Sequence, residues 1–203
     1  MSVSGGSVGV VVLAAGSSSR MGAEKLMMPL DGRPMLEHLL TSASAAGLPA
    51  LVVTRPGATK ITALAGFRGA SVAIADDHIR GIAHSISAGL AAVPSAWKAV
   101  IIAPGDMPLL SPALFSALAS RSAPDRVVVP VHGGRPGNPV SWGRNHFPAL
   151  QRLTGDRGGR QLFGVLSPYI EEFEWPDPLE ISLDIDTPAA LERARAVLIE
   201  RRP

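Results

Sequence analysis

The residues of this chain best placed to do chemistry are a cluster of cations and a set of aspartates. Arg20 and Lys25 lie in the segment Leu13-Ala14-Ala15-Gly16-Ser17-Ser18-Ser19-Arg20-Met21-Gly22-Ala23-Glu24-Lys25. Asp106 follows Pro104-Gly105, while Asp184 and Asp186 bracket Ile185 just before Thr187-Pro188. A Gly/Ser turn exposes N–H groups that can cradle phosphate oxygens, and Gly16 and Gly22 permit close backbone approach. Arg20 offers a planar fork, and Lys25 a compact charge, for the same oxygens. Mg²⁺ on a phosphate substrate is held by one or two carboxylates, which Asp106 and Asp186 could supply, with Asp184 a weaker third candidate. Each piece also has a plainer reading: a solvated Gly/Ser turn, an aspartate in a turn, an aspartate at a helix start.

Spacing excludes two better-known phosphate loops. Five residues separate Gly16 from Gly22 and Leu26 follows Lys25, so G-x-x-x-x-G-K-[ST] is not met; G-x-G-x-x-G is absent as well. The histidines His38, His78, His84, His132 and His146 show no H-x-x-x-H spacing, which argues against zinc. No G-x-S-x-G elbow is present for acyl hydrolysis. A chain without Cys has no disulfide, thiolate nucleophile or thiolate metal ligand.

The elements that must position these residues alternate along the chain. Val8–Leu13, Ala50–Thr54, Ser71–Ala75, Lys98–Ala103 and Val127–Val131 are short, apolar and rich in β-branched residues, as strands buried on both faces are. Pro34–Ala46 carries Met35, Leu36, Leu39, Leu40 and Ala43 at helical spacing, with Pro34 suited to the first helical position after Asp31-Gly32. Ser111-Pro112 and Thr187-Pro188 read as capped helix starts, the second opening a helix over about 188–202 whose arginines form a solvated face. The expectation is α/β: a single-domain, Rossmann-like, doubly wound and mostly parallel sheet spanning 8–203. Strand carboxyl ends are where such sheets bind ligands, and both the glycine-rich turn and Asp106 fall there. Gly/Pro-rich 132–142 and glycine-rich 154–160 read as binding loops. Met27, Met28 and Met35 read as packing residues, and Trp142 as a buried aromatic that could also wall a flat ligand.

Of 203 residues, 46% are hydrophobic and 18% charged, enough for a sizeable core and against wholesale disorder. Nineteen Lys+Arg against 17 Asp+Glu leave +2, so the sequence pI of about 9.5 reflects few groups titrating above neutrality rather than a basic face. No nucleic-acid partner is expected. The run Val8–Ala15 is far short of the roughly 20 residues that span a bilayer, and residues 1–7 carry no Lys or Arg. Those seven read as a flexible N-terminus, and the chain as cytoplasmic with no membrane partner.

The pattern L-A-A-G-x-S-x-R-M-G-x-x-K resembles the signature of nucleotidyltransferases that make activated sugars, isoprenoid intermediates and molybdenum-cofactor dinucleotides. Among these the chain is most similar to the molybdenum cofactor cytidylyltransferases, over Val8 to about Leu191. Further segments follow in the family's order: Gly81–Gly89, Gly105-Asp106-Met107-Pro108, Gly134–Pro139, Gly155-Asp156-Arg157-Gly158 and Asp184–Pro188. The resemblance implies the nucleotide-diphospho-sugar transferase type of fold and transfer of CMP from CTP to the phosphate of molybdopterin or molybdenum cofactor, with loss of pyrophosphate. It implies Arg20, Lys25 and Asp106 as catalytic residues, and Mg²⁺ on Asp106 and Asp186. It places the nucleotide on Leu13, Ala14, Ala15, Gly16, Ser17, Arg20, Met21, Gly22, Lys25, Gly81, Ser85 and Asp106. The acceptor falls to Arg135, Asn138, Pro139 and Asp156, and the product to a molybdoenzyme or its chaperone.

Two departures keep alternatives open. Asn138 stands where cofactor cytidylyltransferases commonly carry histidine; it keeps a donor and an acceptor but cannot become cationic. The Ala14-Ala15 pair fits the cytidylyl type, although uridylyl enzymes share the L-A-A-G form. A guanylyl- or uridylyltransferase with another phosphorylated acceptor, or a nucleotide-binding accessory protein without catalysis, are the competing readings.

Overall fold

The computed structural model describes residues 7–16, 25–156 and 158–201. The expectations on residues 1–6 and on Ser17, Arg20, Met21 and Gly22 lie outside them.

The chain opens with β1 (Ser7–Ala14), so Ser7 belongs to a strand rather than to the leader. A small hairpin follows, β2 (Pro29–Leu30) and β3 (Arg33–Pro34), turned by Asp31 and Gly32 at φ 50° and 77°. Paired positive φ angles are what a two-residue hairpin turn demands. Pro34 is therefore the last hairpin residue and the cap position of α1 (Met35–Ala45), one residue before the helical position expected of it. Next come β4 (Ala50–Thr54), α2 (Thr59–Phe67), β5 (Ser71–Ile74), α3 (Ile82–Ala92), β6 (Trp97–Pro104) and α4 (Pro112–Arg121). The remainder is β7 (Val127–His132), β8 (Arg135–Pro136), β9 (Val140–Gly143), α5 (Phe147–Gln151), β10 (Ile170–Glu174), α6 (Pro178–Ser182) and α7 (Pro188–Glu200).

The main sheet runs β5-β4-β1-β6-β9-β7-β10, with β8 hooked onto β7. β1 is parallel to β4 and β6, with Val12 opposite Val52 and Ala103, and β4 is parallel to β5. β9 reverses direction between β6 and β7, while β10 runs parallel to β7. The sheet is thus mostly parallel with one inserted antiparallel strand.

Alternation along the central strands divides the core. Val8, Val10, Val12, Ala99, Ile101 and Ala103 face a cluster with α1, α4 and α7; Val11, Val100 and Ile102 face the side covered by α3 and α5. In α1 the five residues picked out by their spacing, Met35 to Ala43, are all buried, at about 2 kcal/mol for each large side chain. Ser111 and Thr187 cap α4 and α7, their hydroxyls accepting from Leu114 N and Ala190 N at 3.1 Å each. Among the described C-terminal arginines, Arg193 and Arg201 are exposed and Arg195 is half-buried, in keeping with a solvated face. Arg201 donates to Leu109 O at 3.0 Å and to Asp177, and Arg195 pairs with Glu192.

Candidate functional site

Lys25 opens a short turn in which Leu26 plugs into the core, leaving the lysine itself only 8% exposed. Its Nζ donates to Asp106 Oδ2 at 2.8 Å and to Asp186 Oδ1 at 2.6 Å. Burial alone would lower the ammonium's pKa, but the hydrogen bonds and charges of Asp106 and Asp186 outweigh it and raise the value above that of free lysine.

Each aspartate is held by backbone geometry. Asp106 follows β6 through Gly105, whose N–H donates to Leu13 O at 2.9 Å; a Cβ on Gly105 would lie 2.9 Å from that same oxygen. Only glycine lets the two strand ends approach this closely. Ile185 is fully buried and its N–H donates to Asp106 O at 3.0 Å. Asp184 and Asp186 therefore flank a side chain anchored in the core beside Asp106. Desolvation, then the hydrogen bond and charge of Asp186 and the charge of Asp106, push the Asp184 carboxyl above its usual range.

Beyond the ends of β1 and β6 lies a cavity of about 230 Å³. Leu13, Ile82, Ile86, Ile102, Pro104 and Val140 give it apolar walls, with Trp142 along one side. The polar side chains on it are Asn138, Asp156 and Arg160. Asn138 N donates to Ile181 O at 2.8 Å, and the Asn138–Pro139 peptide is cis. Asp156 Oδ1 accepts from Ile82 N at 3.3 Å, and Gly155 O accepts from Ala83 N at 3.2 Å. Gly155 and Asp156 thereby cap the N-terminus of α3, whose preceding residue Gly81 has φ 108° and no side chain to do so.

The structure gathers some expected site residues and separates others. Lys25, Asp106 and Asp186 meet; Leu13, Asn138 and Asp156 share the cavity. Pro139 is buried behind it, and Ala14 and Ala15 are buried at the end of β1, while Gly16 is exposed. Ser85 is 5% exposed on the packed side of α3 and does not line the cavity. Arg135 sits in β8, paired with His132 and exposed, and is not brought to the cavity wall. Lys25 faces two carboxylates rather than open solvent. Trp142 combines both roles foreseen for it, being 2% exposed yet part of the wall.

Arg160 and Glu180 are missing from the expected set. Glu180 is 4% exposed and accepts from Ser111 N at 2.8 Å and Trp175 Nε1 at 3.1 Å. The apolar residues on either side of it, Leu179 and Ile181, were the signal that it could be buried.

A mostly parallel sheet wound on both faces, with Lys25 and two carboxylates meeting beyond its strand ends, has the nucleotide-diphospho-sugar transferase type of fold, shared by the solved structures described below. Residues 10–170 match the MobA-like NTP transferase domain, and the chain belongs to that family. Over 133 residues it is 35% identical to the bifunctional protein GlmU of Agrobacterium fabrum, covering 62% of this chain and 29% of that protein. The chain thus spans about three-tenths of the length of this curated relative. Among solved structures it superposes on Rv0371c of Mycobacterium tuberculosis with a TM-score of 0.82 and 26% identity, covering 94% of this chain and 98% of the other. A nucleotidyl transferase of Methanothermobacter gives a TM-score of 0.85 at 22% identity, covering 97% and 99%.

Proposed function

We propose that this nucleotidyltransferase moves CMP from CTP onto the phosphate of molybdopterin or molybdenum cofactor and releases pyrophosphate. The observation that carries transfer, as opposed to simple binding, is the meeting of Lys25 with Asp106 and Asp186 across 81 and 161 residues of sequence. A protein that only held a nucleotide would not need all three.

An oxygen of the acceptor phosphate attacks the α-phosphorus as the bond to the β-phosphate breaks, and pyrophosphate leaves with that electron pair. The acceptor is anionic near neutral pH, so the step needs positioning and charge neutralisation rather than a protein nucleophile. An incoming triphosphate offers the Lys25 ammonium oxygens of its own, which frees Asp106 and Asp186 to face a divalent cation. That the two carboxylates already converge on one cation, with oxygen donors alone, fits Mg²⁺. When bound, Mg²⁺ would offset charge on the triphosphate. Arg20 is assigned to the same phosphates by its place in the motif.

The small Ala14-Ala15 pair supports CTP, and the largely apolar cavity beyond the ends of β1 and β6, with Trp142 in its wall, supports a pterin-like acceptor. Among the described residues no helix is long and apolar enough to cross a membrane, and we place the reaction in the cytoplasm, with the product passing to a molybdoenzyme or its chaperone. A second reading, a different phosphorylated acceptor with CTP, UTP or GTP, is favoured by Asn138, because an uncharged amide stands on the cavity wall. Pyrophosphate release with molybdopterin, or its molybdenum form, and each triphosphate decides between them. Turnover with CTP and molybdopterin is expected; binding of nucleotide without turnover on either acceptor form would sink the first reading.

A further inference from the structure

Arg160 is the cation on the cavity wall, and its side chain is exposed there. Its guanidinium makes no hydrogen bond or ion pair with another described residue, and desolvation lowers its pKa. Asp156, on the same wall, is occupied in capping α3 through Ile82 N. An exposed cation on the wall of an apolar cavity, with no ion-pair partner among the described residues, is placed to meet an anion that arrives with the ligand.

The rest of the cavity describes what that anion is attached to. Trp142 is fixed from behind: Phe163 packs with ring centroids 6.0 Å apart, and a Cβ on Gly159 would lie 2.6 Å from Trp142 Cζ2. The neighbouring wall residues Ile82, Ile86 and Val140 have no polar side-chain atoms to offer. A polyhydroxylated ligand would leave most of its hydroxyls unpaired here, at about 1–3 kcal/mol for each one buried. A compact planar or apolar group loses nothing on entering.

Resting on the nucleotidyl-transfer reading of the adjacent carboxylates, we infer that Arg160 holds the phosphate of the acceptor while the acceptor's body lies against Trp142. The site then selects phosphomonoesters of compact planar groups over those of polyols. Arg160 is a specificity-determining residue in this scheme, and its guanidinium fork explains an arginine where lysine would carry the same charge.

The test uses phenyl phosphate as the planar probe and glucose 1-phosphate as the polyol probe, each titrated into the full chain. The indole N–H resonance of Trp142, one of three tryptophans, reports occupancy and is assigned by its loss in Trp142→Phe. Phenyl phosphate is expected to shift that resonance and to bind at least tenfold more tightly than glucose 1-phosphate. Arg160→Gln should weaken phenyl phosphate at least tenfold and Arg160→Lys by a smaller factor, both with CTP–Mg²⁺ affinity unchanged by calorimetry. Wild-type affinity in Arg160→Gln, equal binding of the two probes, or no shift of Trp142 would each overturn the inference. So would a parallel loss of CTP affinity in Arg160→Gln, since it would put the guanidinium on the triphosphate. Failure of wild-type protein to bind CTP at all would count against the nucleotidyl-transfer reading, while the phenyl phosphate titrations would still judge Arg160.

Discussion

The Lys25 ammonium is shared between Asp106 and Asp186, so removing the lysine leaves two carboxylates beside the core without that shared counter-charge, and removing Asp106 takes away one of the two groups that hold it. Lys25→Ala and Asp106→Ala are expected to reduce pyrophosphate release at least about 100-fold with an unchanged circular dichroism spectrum; near-normal turnover in either would displace the site. The ion pair also has a pH signature. Its stabilisation is complete below the unfolded lysine value of about 10.4 and is lost as pH rises through the higher folded value. Urea midpoints followed from pH 8 to 11.5 should therefore fall more steeply for the wild type than for Lys25→Met. Little of this pairing could be read from sequence. The glycine-rich turn and the aspartates were visible as separate motifs, but the contacts between them span 81 and 161 residues. Arg160 is exposed, as a charged residue after glycines in a loop is expected to be; its place on the cavity wall comes from the packing of Gly159 against Trp142, which the local sequence does not show.

Elements impose the next level of constraint. Gly105→Ala would push the ends of β1 and β6 apart around Leu13 O and carry Asp106 with them. A loss of turnover of about 10- to 100-fold is expected, beyond what its unfolding free energy explains, read from kinetics and urea titration on one sample. Around α6, Glu180 receives Ser111 N and Trp175 Nε1, and Arg201 of the last turn reaches Asp177 and Leu109 O. Glu180→Ala would strand buried donors at a cost of about 3 kcal/mol by chemical denaturation, away from the phosphate chemistry. Burial raises the Asp177 carboxyl, but Arg201 and the N–H groups of Glu180 and Leu179 outweigh that and lower it. Its stabilisation is thus present above about pH 3.9 and lost as pH falls through the lower folded value, an acid limb that Arg201→Ala should flatten. Strands β1, β4, β6 and β7 were legible because both faces are buried and the sequence runs are apolar, and β5, at one edge of the sheet, because its short run is apolar. β9 was not: Val140–Gly143 lies in a Gly/Pro-rich stretch, and only pairing with β6 and β7 makes it a strand. β10, reading Ile-Glu-Glu-Phe-Glu at the sheet edge, lacks an apolar signal for the same reason.

At the scale of the molecule, the sheet has a parallel half, β5-β4-β1-β6, and a half in which β9 reverses the direction. The end of β1 belongs to the first half and the walls contributed by Asn138, Val140 and Trp142 to the second, with Asp106 at the boundary. The doubly wound class was legible from alternation of apolar runs and helical patterns; the reversed strand that separates the two halves was not. If the nucleotide occupies this fold as proposed, CTP with Mg²⁺ at about 100 times its dissociation constant should add roughly 2.7 kcal/mol to global stability, read as a thermal shift larger than that given by GTP or UTP. The separation of Lys25 and Asp186 by 161 residues also bears on how the protein comes into being. Closing so long a loop is slow compared with forming the local strand–helix units. Nor can a growing chain complete the site before its last helix begins to emerge. On refolding, nucleotide affinity should therefore return after the far-ultraviolet signal, leaving a folding interval in which the sheet exists and its carboxylates still await their lysine.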